Sequence, residues 1–206
     1  MCMRFVPLRQ DEAEAVLDAR ERGGQGVLFG SDFNPIYDAY PGSEVPIYVW
    51  DSRLQKLVVQ RLDWGFDHDG RRNGVFNTRL ETALEQIRKG RRGIWFNAIT
   101  RGRCLVPVRA FYEGHDTEGV TSPRTGKLVK RPYRFTMPGA RAFLLAGVAG
   151  EGRFSIVTTA PNADVAPVHD RMPLVLGRGE SKTWLGEGFA ALGDRSGLRL
   201  AVAAEL

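Results

Sequence analysis

The second half of the chain repeats one pattern: a short apolar run, a glycine, proline or polar break, then another apolar run. Cys104 to Val108 begins the series, and Ala110 to Tyr112 extends it as far as Glu113. Tyr133 to Thr136, Phe143 to Val148 and Phe154 to Thr159 follow, and Pro173 to Leu176 makes a short buried strand. Runs this short, rich in Val, Ile and Phe and bounded by turn residues, read as strands. In the first half, Val45 to Trp50 and Leu57 to Leu62 look like two strands around a turn at Asp51-Ser52. Helical character is sparser. Arg9 to Arg22 reads as a short amphipathic helix ended by Gly23-Gly24, Leu80 to Lys89 as a helix stopped by Gly90, and Ser181 to Leu185 as a final helical turn. The polar stretches Asp67 to Gly74 and Gly114 to Lys130 read as loops. Together these elements predict an α+β fold: a single domain over residues 1–206 with a β-rich, barrel-like curled sheet and peripheral helices.

A chain of 206 residues is long enough to bury a core, and 43% hydrophobic with 26% charged residues is ordinary for a soluble globular protein. No run approaches the length needed to span a bilayer, and the first residues lack a signal-peptide core, so a cytoplasmic chain is expected. Lys and Arg number 29 against 24 Asp and Glu, a net charge of +5 that favours a polyanionic partner. Arginine far outnumbers lysine, and arginine is the better bidentate phosphate ligand. Two cysteines, Cys2 and Cys104, do not make a disulfide framework, and His68, His115 and His169 form no metal spacing with them. Neither a metal nor a cofactor is expected.

Four features carry possible chemistry. Cys2 follows Met1; removal of that methionine would leave an amine and a thiol on one residue, both with a reactive fraction near neutral pH. Such a pair suits aldehydes: the amine forms a Schiff base and the thiol closes a five-membered thiazolidine. By position alone, a chance cysteine beside the initiator is the preferred reading. His169, in His169-Asp170-Arg171-Met172-Pro173, could act as a general acid or base, or be a loop histidine beside Asp170. Glu113 leaves an apolar strand, where desolvation would raise its pKa, or sits in a solvated turn. Asn77 to Thr82 places Asn77 or Thr78 as a helix cap with Glu81 completing a capping box, and Arg79 beside that helix start suits phosphate. Arg71, Arg72, Arg101 and Arg103 add to a possible basic face, interleaved with Phe33, Trp64, Phe76 and Tyr112 as candidate stacking surfaces.

Taken in order, these pieces resemble the SRAP (SOS response-associated peptidase) family across most of the chain. Met1-Cys2-Met3-Arg4-Phe5 is similar to that family's Met-Cys-Gly-Arg-Phe, and Phe33-Asn34-Pro35 falls where it has an active-site asparagine before a Pro-containing loop. Trp64-Gly65-Phe66 resembles Trp-Gly-Leu, and Asn77 to Thr82 resembles Asn-Ala-Arg-Ser-Glu-Thr. Arg103-Cys104-Leu105-Val106-Pro107 with Phe111-Tyr112-Glu113 is close to Arg-Cys-Leu-Ile-Pro and Phe-Tyr-Glu-Trp. Thr158-Thr159-Ala160 then precedes His169 to Pro173, which matches fully.

The resemblance implies autocatalytic loss of Met1 and a thiazolidine crosslink between Cys2 and an abasic site in single-stranded DNA, a covalent shield for the lesion. By position, Cys2 would be the nucleophile, Asn34 would hold the Cys2 backbone or the sugar, Glu113 would move protons, and His169 would help open the sugar ring to its aldehyde. Arg79 and Arg171 would bind flanking phosphates, while Arg4, Asn77 and Trp64 would line the groove. A monomer, nucleoid-associated when on DNA, is implied. The alternatives are a peptidase or amidase using the same cysteine, and a non-catalytic single-strand-binding module. Three departures stand out. Met3 replaces glycine and would narrow the pocket or alter Met1 removal. Gly114 replaces a tryptophan, removing a stacking surface. Asp67-His68-Asp69-Gly70 lacks the family's Ile-Pro and second tryptophan, and its acids would weaken phosphate binding.

Overall fold

The computed structural model describes residues 2–21, 37–90, 94–123 and 125–205. Asn34, with Phe33 and Pro35, lies outside the described residues. Strand β1 (Arg4–Pro7) leads into helix α1 (Gln10–Glu21). Strands β2 (Glu44–Asp51), β3 (Lys56–Trp64), β4 (Phe66–His68), β5 (Arg71–Val75) and β6 (Asn77–Arg79) precede helices α2 (Leu80–Arg88) and α3 (Ile94–Arg101). Then come β7 (Arg103–Thr121), β8 (Leu128–Thr136), β9 (Phe143–Gly150), β10 (Arg153–Thr159) and the short β11 (Met172–Pro173) and β12 (Val175–Leu176). Helix α4 (Glu180–Leu185), a 3₁₀ segment (Glu187–Gly193) and β13 (Ala201–Ala204) complete the order. No helix is long and apolar enough to cross a membrane among the described residues.

The main sheet runs β12-β9-β10-β3-β2-β7-β8-β13, and β7 also pairs with β9. That extra pairing bends the sheet back on itself into a ring of strands, β9-β10-β3-β2-β7. Alternation along each strand sorts the side chains into two clusters. Val45, Ile47, Val106, Leu145, Phe154 and Ile156 join one, with Trp64 and Phe111. Tyr48, Leu105, Ala146, Val148 and Val157 join the other, with Leu80, Trp95, Ile99 and Trp184 from the helices. The first cluster fills the ring; the second is the seam between sheet and helices. This is the expected α+β class.

Several local expectations are corrected. Asp67 to Gly74 is not a loop but the β4–β5 hairpin, in which His68 pairs with Arg71 across Asp69 and Gly70. Both turn residues take positive φ, 49° and 72°, as a two-residue hairpin turn requires. Its side chains are mostly exposed, so no apolar alternation marks it in the sequence. Likewise β7 and β8 continue outward through Gly114 to Lys130 as a long hairpin, with a register shift between Gly114 and Gly119. Helix α3 had no counterpart among the expected elements, although Trp95 and Ile99 are buried one helical turn apart. Finally, α2 begins after Arg79, whose backbone is extended and whose side chain makes no cap bond. Asn77 and Thr78 belong to β6, paired in parallel with β10, and so are not its caps. A capping bond of the expected sort occurs instead at α1, where Arg9 N–H donates to Glu12 Oε2 at 2.9 Å.

Candidate functional site

Pairing of β1 with β7 sets Arg4 opposite Tyr112, so the residues just before β1 run beside the Glu113–Gly114 stretch. Cys2 is completely buried there and belongs to the ring core. Its thiol donates to Arg4 O at 3.6 Å. Burial pushes the thiol well above its ordinary pKa, and the Glu113 carboxylate pushes the same way. The side-chain amide of Asn77 donates to Cys2 O at 2.8 Å. Asn77 Oδ1 is buried and has no hydrogen-bond partner among the described residues.

Glu113 is 2% exposed. Burial pushes its carboxyl up to about 7, with Asp116 and Asp170 acting in the same direction. His169 Nε2 lies 4.0 Å from Glu113 Oε2 and 4.0 Å from Asp116 Oδ1. On the other side of the ring, Arg171 N–H donates to His169 Nδ1 at 3.0 Å. Burial pulls the imidazole below its ordinary pKa, while Asp116 and Asp170 pull it back up. Met3, Arg4, Phe76, Glu113, Lys130 and His169 line one open cavity of about 560 Å³. Three residues expected to work together from positions scattered along the sequence, Cys2, Glu113 and His169, are therefore neighbours. The arrangement combines a held backbone, a carboxyl that titrates near neutrality and an imidazole at one cavity wall, which suits proton transfer to a bound carbonyl compound.

The expected groove residues separate into two groups. Arg79 is exposed, and its side chain makes no hydrogen bond or ion pair among the described residues; Arg71 and Arg72 are likewise exposed on the β4–β5 hairpin. Arg171 instead forms a two-pronged ion pair with Glu81, its Nη2 reaching Glu81 Oε2 at 3.0 Å. Arg4 is held by Asp38 at 2.8 Å and Glu205 at 3.3 Å and lies over the Tyr112 ring, 3.8 Å from its centre. Trp64 is a correction: it is 0% exposed in the ring core, edge-on to Phe5, with its indole N–H donating to Phe76 O at 2.8 Å. No face of it is open to a base. The adjoining Gly65 adopts φ +116°, and a Cβ there would come within 2.9 Å of Asn73, so the Trp-Gly pair is a feature of packing and turning. Arg103 is also structural, since its guanidinium caps the carbonyls of Ile99, Trp184, Leu185 and Gly186.

The departures acquire physical content. Met3 is 57% exposed on the cavity wall. Gly114 lies under Lys130, whose Cβ would be 3.1 Å from a Cβ at that glycine. Asp67 is engaged within its hairpin, accepting from Asn73 N–H at 2.8 Å and pairing with Arg153 at 3.2 Å. Cys104 packs in the ring core, far above its ordinary pKa through burial, and takes no part in the cavity. Asp116, His169 and Asp170 bring donor atoms within 4.8 Å of one another, but Lys130 already pairs with Asp116 at 2.9 Å and Arg171 N–H occupies His169 Nδ1. They form an ion-paired network at the cavity edge.

What sequence reasoning missed is the grip on Cys2. That task was expected of Asn34, which lies outside the described residues; Asn77 performs it for the carbonyl. The signal in the sequence was the resemblance of the stretch Asn77 to Thr82 to the family motif, which marked Asn77 as a groove residue but named no partner for it.

A family model described as SOS response associated peptidase (SRAP) matches residues 1–198. The chain is 24% identical over 168 residues to the abasic site processing protein YoaM of Bacillus subtilis, a match covering 75% of this chain and 67% of that one. It is 26% identical over 170 residues to the abasic site processing protein YoqW of Bacillus subtilis, covering 75% and 68%. Among solved structures, a protein from Bacteroides thetaiotaomicron superposes with a TM-score of 0.68 at 20% identity, covering 98% of this chain and 91% of that one. A phage-related protein from Bordetella bronchiseptica gives 0.66 at 22% identity, covering 99% and 94%. At such identities the two structures establish the fold alone.

Proposed function

Because the chain belongs to the SOS response associated peptidase (SRAP) family, we propose that it is a covalent sensor and shield of abasic sites in single-stranded DNA. The observation that carries this reading is the convergence of Cys2, buried and held by Asn77, with its neighbour Glu113, which lines one open cavity together with His169. The names of the Bacillus relatives, abasic site processing proteins, supply the substrate class.

The reaction divides into steps that balance. Hydrolysis of the Met1–Cys2 peptide bond, assisted by Glu113, releases methionine and frees the Cys2 amine. The abasic deoxyribose opens to its aldehyde, with His169 placing a proton on the departing ring oxygen while the anomeric hydroxyl gives up its own proton to water and becomes the carbonyl. The amine adds to the aldehyde carbon and water leaves, giving an imine; Glu113, titrating near neutrality, carries the proton to and from the carbinolamine oxygen. The Cys2 sulfur then adds to the imine carbon, its proton passing to nitrogen, and the five-membered ring closes. No oxidant is required, and one water is lost between protein and DNA. Burial keeps Cys2 as a thiol, so the amine attacks first and sulfur second. Exposed Arg79 serves the flanking phosphate, with Arg171 positioning Glu81 and the segment after His169.

Incubation of the full chain with an abasic single-stranded oligonucleotide tests the reading. A denaturation-resistant adduct is expected, with the mass of des-Met1 protein plus DNA less one water. Cys2→Ala should abolish it. A chain that has lost Met1 and still forms no adduct would refute the proposal, and repeated turnover on unrelated peptides would favour a peptidase.

A further inference from the structure

A second cavity, of about 540 Å³, opens elsewhere on the molecule and shares no lining residue with the first. Its wall includes Trp50 and Leu57 from the β2–β3 hairpin, Arg101 and Arg103 at the junction of α3 and β7, and Lys182 and Leu185 of α4. Three cations and no acidic side chain line it. Arg103 is fully engaged with main-chain carbonyls and brings a positive charge to the floor with no carboxylate partner among the described residues. Arg101 and Lys182 are exposed and make no side-chain hydrogen bond or ion pair among the described residues. Trp50 is 53% exposed, whereas Trp64, Trp95 and Trp184 are buried.

We propose that this cavity is a nucleotide subsite, taking an aromatic base against Trp50 and its phosphate between Arg101 and Lys182. An open indole face beside unneutralised cations is the pairing used to stack a base and hold its phosphate. The volume suits a ligand of that size. Leu57 and Leu185 supply the apolar flank for the ring. The nucleotide can come from two sources, a free mononucleotide or a residue of a longer strand. Arg103 and Glu113 stand ten residues apart on β7, on the order of 30 Å along the strand, so the two cavities are separate binding events.

Trp50 is the accessible tryptophan, so emission from the full chain reports on the site. Titration with dAMP is expected to quench that emission, and Trp50→Leu should remove the response. Arg101→Gln with Lys182→Gln should weaken dAMP binding by about ten-fold or more while leaving the fold, followed by circular dichroism, unchanged. Adenosine and inorganic phosphate should each bind more weakly than dAMP. Displacement of dAMP by an undamaged single-stranded oligonucleotide assigns the subsite to a strand, and failure of displacement assigns it to a free nucleotide; both are consistent with the proposal. No quenching at millimolar dAMP, or tighter binding of an acidic aromatic peptide than of dAMP, would overturn it. None of these readouts depends on Cys2 chemistry, so adduct formation and the subsite can fail independently.

Discussion

The side-chain amide of Asn77 donates to the carbonyl oxygen of Cys2 at 2.8 Å, a contact between residues 75 positions apart. It fixes the backbone on which the reactive amine would be carried. Asn77→Ala should slow adduct formation with an abasic oligonucleotide by about ten- to a hundred-fold, because a small misplacement of a reacting group costs that much. Asn77→Asp keeps an acceptor but removes the donor and should behave like the alanine variant. Single-turnover rates on denaturing gels separate these outcomes, and a rate equal to that of the parent chain would show that the grip is dispensable.

Glu113 should leave a signature in both rate and stability. Its carboxyl rises from 4.5 to about 7 on folding. Between those values the folded chain holds a proton that the unfolded chain has lost, so stability falls as pH increases through this window. Between about pH 5 and about pH 8 the parent chain should therefore lose up to about 3 kcal/mol more stability than Glu113→Gln. Urea unfolding at the two pH values measures the difference. The adduct rate of the parent should inflect near neutrality, and that inflection should vanish in Glu113→Gln.

Arg79 and Arg171 should respond differently to truncation. Arg79 is unengaged, so Arg79→Ala should weaken single-strand binding and reduce its salt slope by about one phosphate contact, with little change in stability. Arg171→Ala removes both prongs from Glu81 and should lower stability by about 1 kcal/mol. Binding isotherms at several salt concentrations, with thermal unfolding alongside, test the contrast.

Trp64→Ala should act on folding. The indole is fully enclosed by Phe5, Phe76 and Phe154, and its loss should cost about 3–5 kcal/mol. Trp64→Phe should recover much of that while leaving the hydrogen bond to Phe76 O unmade. If DNA affinity falls in Trp64→Phe with stability preserved, the core assignment of its role is insufficient.

Much of this architecture is readable from pattern. The apolar runs at Val45, Cys104, Phe143 and Phe154 become strands because alternating side chains enter two different cores, and Phe111-Tyr112-Glu113 buries its carboxylate by continuing such a strand. The β4–β5 hairpin escapes notice because its pairing is local and its surface polar, so hydrophobic periodicity is silent there. The pairings of Asn77 with Cys2 and of Arg171 with Glu81 join residues 75 and 90 positions apart, and nothing local in either segment encodes its partner. Trp64 shows the converse difficulty. A tryptophan beside arginines in sequence fits a base-stacking surface as well as a core, and only the closure of the ring decides between them.

His169 Nδ1 lies 3.0 Å from both the Arg171 N–H and the Asp170 carboxylate, a donor and an acceptor on one nitrogen. Nε2 faces a second pair of carboxylates, Glu113 and Asp116, at 4.0 Å. A positive imidazolium therefore meets carboxylates at each of its nitrogens, which offsets the cost of burying its charge. The ring can take up a proton and still be held in place on both edges. The short segment from His169 to Arg171 thus anchors the imidazole in either state of charge, so that a proton can come and go without the ring having to turn.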